Sequence, residues 1–230
     1  LSKKFNSKLL IMDDYRIKLS DQKLILKNNL NWLQFDLYGK NILYADIILN
    51  YSPNSLSINY NKLTKDKKSI LYLGPKFALL RNEFHRIKKF KVKKIIKKIF
   101  ICFGGGNDRG GIFKMLDAIM IKNNNIKIEI VSGNNNPSKI KLQKLISQNK
   151  NINIHFDTSN IKKILSNSDI ALISGGTISY ECAAIGVPML ITSIEKNQIN
   201  TSKFWNKNKS GIYLGHINKI KIKKITSEFE

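Results

Sequence analysis

From Ile99 onward one pattern repeats: a short apolar run, a turn rich in Gly, Asn or Asp, then a Lys-rich amphipathic stretch. The runs are Ile99–Phe103, Ile126–Val131, Ile152–Phe156, Ile170–Ile173, Met189–Thr192 and Ile212–Leu214. They are too short for helices and rich in β-branched residues, which marks buried strands. Between them, the stretches Gly111–Lys122, Pro137–Gln148, Asn160–Ser166, Ile178–Ile185 and Thr201–Lys207 carry helical periodicity. Strands alternating with helices make βαβ units, hence a parallel sheet covered on both faces. In such a sheet, ligands bind outside the carboxyl ends of the strands.

This alternation predicts a Rossmann-like domain over residues 98–230 of the 230-residue chain. The first part is less regular. Leu9–Met12, Asn31–Phe35 and Asp46–Leu49 are strand candidates, with a helix pattern at Ser20–Asn28. They imply a second Rossmann-like domain over residues 1–75 that is too thin to cover both faces of its sheet. We therefore expect an α/β protein of two Rossmann-like domains, the first incomplete at its N-terminus. The opening Leu1 fits a fragment, and fits processing equally. Residues 76–97 read as a short helix followed by a basic linker, Lys88–Lys98.

The formal charge of +24 raises the question of a polyanionic partner. Of the 40 basic residues, however, only Arg16, Arg81, Arg86 and Arg109 are arginines. Readers of phosphate and base edges favour the planar fork of Arg. Lys, Asn and Ile are abundant together, as A/T-rich codons would make them, and no aromatic platform repeats along the Lys-rich run. No specific nucleic-acid partner is expected. Lys and Asn interrupt every Ile-rich stretch before the ~20 apolar residues of a membrane span. With no signal-peptide pattern either, a cytoplasmic protein is expected. Oligomeric state is not fixed by the sequence; a monomer is the expectation.

Two turns carry most of the chemistry. Phe103-Gly104-Gly105-Gly106-Asn107-Asp108-Arg109 follows the first strand of the second domain and precedes a helix. Glycines there permit positive φ and close backbone approach, as a diphosphate requires. Ser174-Gly175-Gly176-Thr177 similarly leads from a strand into a helix that holds Glu181 one turn in. Free amides and the helix dipole favour a phosphate at such a turn, and a carboxylate one turn on can accept from sugar hydroxyls. Each turn can equally carry its glycines for tightness alone. After the strand Met189–Thr192 comes Glu195-Lys196-Asn197-Gln198, whose amides suit sugar or diphosphate oxygens, or a solvated loop. Asp13, Asp14 and Tyr15 close a strand of the first domain and could orient water or sugar, or cap a helix.

His85, His155 and His216 show no metal-ligand spacing with Cys, Asp or Glu, so neither a metal nor a cofactor is expected. Cys102 and Cys182 each sit in an apolar pattern and read as buried free thiols.

Six segments occur in an order that resembles the UDP-sugar hydrolases of pseudaminic acid biosynthesis and their spore-coat polysaccharide relatives. They are Asp13-Asp14-Tyr15, Ala45–Asn50, Gly74–Phe84, Gly104–Asp108, Gly175-Gly176-Thr177 with Glu181, and Lys196-Asn197-Gln198. The second half is also similar to the nucleotide-binding half of family 28 glycosyltransferases. The Gly74–Phe84 segment is the piece that those transferases lack.

The resemblance implies a GT-B fold and metal-independent hydrolysis of a UDP-linked 2,4-diacetamido-2,4,6-trideoxyhexose to UDP and free sugar. By that resemblance Gly105, Gly106, Gly176 and Thr177 would hold the diphosphate, with Asn107, Asp108, Ser174 and Gly175 beside them. Glu181 would take the ribose and Gln198 the diphosphate or sugar, while Tyr15 and Asn197 would serve catalysis, Tyr15 near the attacking water. A GT-B glycosyltransferase with a UDP-sugar donor is the alternative, and a basic nucleic-acid-binding module a third. The chain departs from the family in lacking its Gly-His-x-x-Arg motif, in reducing an Asp-Asp pair to Phe35-Asp36, and in lacking the His that follows it. We therefore expect a polypeptide of this sequence to bind UDP weakly or not at all and to be inactive as a hydrolase.

Overall fold

The computed structural model describes residues 7–14, 16–65, 69–85, 91–120 and 125–228. They divide into two compact units, residues 1–79 and 80–230. Each contains its own parallel sheet.

In the first unit the strands β1 (Leu10–Met12), β2 (Trp32–Phe35), β3 (Ile47–Asn50) and β4 (Ile70–Leu73) pair in sequence order, all parallel. β4 was not anticipated, although Ile70–Leu73 is a continuous apolar run; it is an edge strand of alternating exposed and half-buried residues. Helix α1 (Leu19–Lys27) opens where the Asp21 carboxylate accepts from the Lys18 amide at 2.8 Å, the acidic half of a capping arrangement. Trp32, Leu43, Ala45 and Ile48 form the core with Tyr60 of the short helix α2 (Tyr60–Leu63).

The carboxyl ends of β2 and β3 are joined by a buried polar network. The Tyr60 hydroxyl donates to Asp36 Oδ2 at 2.8 Å and accepts from Asn50 Nδ2 at 2.8 Å. Asp36 Oδ1 takes the amides of Tyr38 and Gly39, and Asn50 Oδ1 takes that of Ser52. Burial pushes the Tyr60 phenol well above its ordinary value; the Asn50 hydrogen bond opposes this and the Asp36 carboxylate adds to it.

The second unit holds six parallel strands in the order β10-β9-β8-β5-β6-β7. They are β5 (Lys98–Cys102), β6 (Lys127–Ser132), β7 (Ile152–Phe156), β8 (Ile170–Ser174), β9 (Met189–Ser193) and β10 (Gly211–His216). The order reverses between β5 and β8, which lie side by side, Cys102 opposite Ile173. That is the switch point of a doubly wound sheet, where the connections on either side turn away and leave a crevice. The helices are α3 (Gly111–Met120), α4 (Lys139–Gln148), α5 (Ile161–Ser166), α6 (Thr177–Ile185), α7 (Gln198–Lys207) and α8 (Ile222–Ser227). Alternate residues of β5, Ile99 and Ile101, pack with Phe103 against Met115 and Ile119 of α3, and Ile225 of α8 closes the same core. Burial of each such side chain is worth about 1.5–3 kcal/mol.

The segment read as a linker is not all linker: the 3₁₀ turn Asn82–His85 packs on α6 within the second unit, with Phe84 buried. Further along, the buried Asp169 carboxylate accepts the Lys97 and Lys98 amides at 2.8 Å and pairs with Lys93 at 2.5 Å. Burial alone would raise that carboxyl, but these partners hold it below its ordinary value. Cys102 and Cys182 are free and buried.

Candidate functional site

The switch-point topology brings together the three segments singled out by sequence. The turn after β5, the turn after β8 and the loop after β9 leave the carboxyl ends of three adjacent strands. They are tied to one another: the Gly175 amide donates to Thr192 O at 3.0 Å, and Arg109 reaches Glu195 Oε1 through Nε at 3.0 Å and Nη2 at 2.5 Å.

Residue by residue, the glycines separate into two kinds. A Cβ on Gly175 would lie 2.2 Å from Ser202 Oγ and 2.8 Å from the Gln198 carbonyl, so this glycine is required by packing. A Cβ on Gly133, after β6, would lie 1.9 Å from the Gly105 carbonyl, so this backbone buttresses the Gly-rich turn. At Gly105 and Gly106, by contrast, a Cβ would meet nothing within 4 Å. The fold makes no steric demand for glycine at these two positions. Gly104, with φ +94°, is the residue whose conformation itself favours glycine.

The two helix N-termini also differ. At α3 the Asp108 carboxylate is buried and accepts from the amides of Ile112 at 3.0 Å and Gly110 at 3.3 Å, so the helix carries its own anion. Asp108 is thus a capping residue, turned into the fold. Beside it, Asn107 Oδ1 accepts the Arg109 amide at 2.8 Å. At α6 the N-cap is Gly176, with no side-chain cap. Ser179 is engaged locally, its hydroxyl donating to Gly176 O at 2.6 Å and accepting from Trp205 Nε1 at 3.0 Å. The start of α6 therefore has a dipole without a built-in counter-charge. The helix ends at Gly186, φ +88°, whose amide and that of Val187 both reach Cys182 O.

Around this turn, Thr177 is exposed and Ser174 buried. Gln198 Oε1 accepts the Ile194 amide at 2.9 Å, and its Nε2 stands 3.6 Å from where a Gly176 Cβ would be. Asn197 is exposed at the N-cap position of α7. Tyr15 lies outside the described residues.

Glu181 has a partner that sequence reasoning missed. Both of its oxygens are held by one guanidinium: Arg81 Nε to Oε1 at 2.8 Å and Nη2 to Oε2 at 2.5 Å. The Glu181 side chain is 4% exposed and that of Arg81 42%. The hydrogen bonds that Arg81 donates to Glu181 raise the Arg81 pKa, burial opposing them. Arg81 also lies 5.2 Å over the Phe84 ring. Beneath the site, burial lifts the Cys102 thiol to about 11, against a hydrogen bond from the Gly104 backbone. Among the described residues no group of three or more His, Cys, Asp or Glu could hold a metal ion, and no helix is long and apolar enough to cross a membrane.

Comparison with known proteins gives a consistent set of relatives. The family model for lipid-A-disaccharide synthetase matches residues 72–201. A UDP-2,4-diacetamido-2,4,6-trideoxy-β-L-altropyranose hydrolase of Campylobacter jejuni is 30% identical over 204 residues, 88% of this chain and 72% of that protein. The spore coat polysaccharide biosynthesis protein SpsG of Bacillus subtilis is 25% identical over 201 residues, 85% of this chain and 56% of SpsG. An uncharacterized protein of Methanocaldococcus jannaschii is 28% identical over 155 residues, 64% of this chain, and the match spans only 32% of that longer protein. Among solved structures, MurG of Acinetobacter baumannii superimposes with a TM-score of 0.63 at 12% identity, covering 99% of this chain and 65% of MurG. That likeness establishes the fold, α/β and GT-B-like with two Rossmann-like units.

Proposed function

The chain belongs to the family of UDP-2,4-diacetamido-2,4,6-trideoxy-β-L-altropyranose hydrolase, and from that membership we propose that it processes a UDP-linked sugar, with the second unit as the UDP-binding half. The observation that carries this reading is the pairing, at one switch point, of a helix N-terminus without a side-chain cap with a Gly-rich turn in which Gly105 and Gly106 meet no steric demand for glycine. A diphosphate suits both: it supplies the counter-charge that α6 lacks and needs the close backbone approach that Gly105 and Gly106 allow. Amides at Gly105, Gly106, Gly176 and Thr177 would hold it, with Gln198 at its side. Glu181 would accept from the ribose hydroxyls. Asp108 contributes indirectly, by fixing the start of α3.

The finer reading is hydrolysis of the bond between a 2,4-diacetamido-2,4,6-trideoxyhexose and UDP. As that bond breaks, negative charge gathers on the departing diphosphate. Amides already aimed at it stabilise that charge without reorganisation, and no metal is needed for this part of the chemistry. Asn197, exposed beside Gln198, would contact the sugar. A second reading, a glycosyltransferase with a UDP-sugar donor, is favoured by the lipid-A-disaccharide synthetase match and uses the same turns.

Release of UDP separates the two. Incubated with the UDP-sugar and no acceptor, an active form of the protein is expected to liberate UDP and free sugar. Liberation only when an acceptor is added would favour the transferase. The 230-residue polypeptide itself is expected to give weak UDP saturation-transfer signals in NMR and no turnover.

A further inference from the structure

The partner of Glu181 carries more than stability. A carboxylate that is to read the cis-diol of a ribose must present acceptor lone pairs in a fixed direction. A free Glu side chain three bonds long would lose rotamer freedom on doing so. Here the Arg81 fork takes one lone pair from each oxygen, through Nε at 2.8 Å and Nη2 at 2.5 Å, and so sets the carboxylate plane before any ligand arrives. The fork is fixed in turn: Arg81 stacks on Phe84, which is buried, and the Asn82–His85 turn packs on α6, the helix that bears Glu181. The remaining lone pairs of the carboxylate are the ones left for a donor. In a chain whose basic residues are otherwise almost all Lys, this position carries an Arg, whose planar fork can engage both oxygens.

We infer that Arg81 is a positioning residue that makes the site selective for ribonucleotides, by orienting Glu181 toward the ribose hydroxyls of a uridine diphosphate. This rests on the reading that the second unit binds UDP. A role confined to holding the fold would weaken all nucleotides alike; a positioning role weakens specifically those that offer the hydroxyls.

The test is the ratio of dissociation constants for 2′-deoxy-UDP and UDP, titrated by NMR against the 230-residue chain. Wild type is expected to prefer UDP by about tenfold or more, the value of a hydrogen bond to a charged acceptor. Arg81→Ala should bring the ratio close to one, chiefly by lowering UDP affinity, and Arg81→Lys, which keeps charge but not the fork, should fall between. A ratio in Arg81→Ala equal to wild type, at whatever affinity, would overturn the inference while leaving UDP binding in place. Equal binding of the two nucleotides by wild type would overturn it too. Wild type binding neither would remove the underlying reading along with it. If the alanine variant does not fold, the lysine variant decides: an unchanged ratio overturns the inference and a reduced one supports it.

Discussion

Beyond β2 and β3 the first unit ties Asp36, Tyr60 and Asn50 to one another, whereas in the second the turn after β5 opens on empty space. Asp36, Tyr60 and Asn50 form a closed network in which the hydroxyl both donates and accepts, and both acids and amides are satisfied. In the second unit, Gly105 and Gly106 line a turn with space beyond them, and α6 begins without a side-chain cap. The same type of sheet supports both arrangements. The difference teaches that a polar cluster at a strand end is not by itself a binding site. What marks the candidate site is the open space at Gly105 and Gly106 beside a helix start that has no side-chain cap.

That contrast can be broken by substitution. The largest effect is expected at Gly133→Ala, where the new Cβ must displace the Gly105 carbonyl; we expect a loss of about 3 kcal/mol, read as a lower Tm for the second unit, together with lost UDP binding. Next is Tyr60→Phe, which strands Asp36 Oδ2 and Asn50 Nδ2 in a buried setting. It should destabilise the first unit by about 2 kcal/mol in denaturant titrations and leave UDP affinity as it was. A fall in UDP affinity would show that this network is more than internal.

Gly105→Ala should behave in the opposite way. Its φ is not in the left-handed region and its Cβ meets no atom, so stability should stay within about 0.5 kcal/mol while UDP binding weakens about tenfold. Unchanged UDP binding would mean that the open space there is not used by a diphosphate.

The smallest effect concerns Glu129 of β6. Burial acts to raise its carboxyl, but hydrogen bonds from His155 at 2.8 Å, Lys98 at 2.9 Å and Asn153 at 3.3 Å outweigh it and hold the group below its ordinary 4.5. A depressed carboxyl contributes stability that is complete above the unfolded-state value and is lost as pH falls through the folded-state one. The resistance of wild type to chemical denaturation should therefore fall as pH is lowered below about 4.5, and Glu129→Gln should flatten that part of the profile.

Much of the second unit was legible because its apolar runs are dense and its turns rich in glycine. Each predicted strand after residue 98 is present, within one or two residues at most of its ends. The helix Ile222–Ser227 was missed, since its six residues give too little periodicity against a Lys-rich background. In the first unit β4 was missed although Ile70–Leu73 is wholly apolar; the local signal was there, in a strand that the edge of the sheet leaves only half-buried at alternate residues. Arg81 escaped for another reason. Its segment was the most specific part of the family resemblance, yet nothing in the sequence connects it with a glutamate 100 residues away. The one available signal was its chemistry, an arginine where nearly every other basic residue is lysine.

By itself, then, the sequence determined the alternation of strands and helices, the two Gly-rich turns and Glu181, because periodicity and turn chemistry are local properties of the chain. Only the tertiary structure decided which strands are neighbours, and hence that the turns after β5, β8 and β9 meet at a switch point. It also decided which glycines are needed for packing, that Asp108 serves a helix rather than the open turn, and that Glu181 is held by Arg81. These depend on distances between residues far apart in the chain, which packing sets and local composition does not encode.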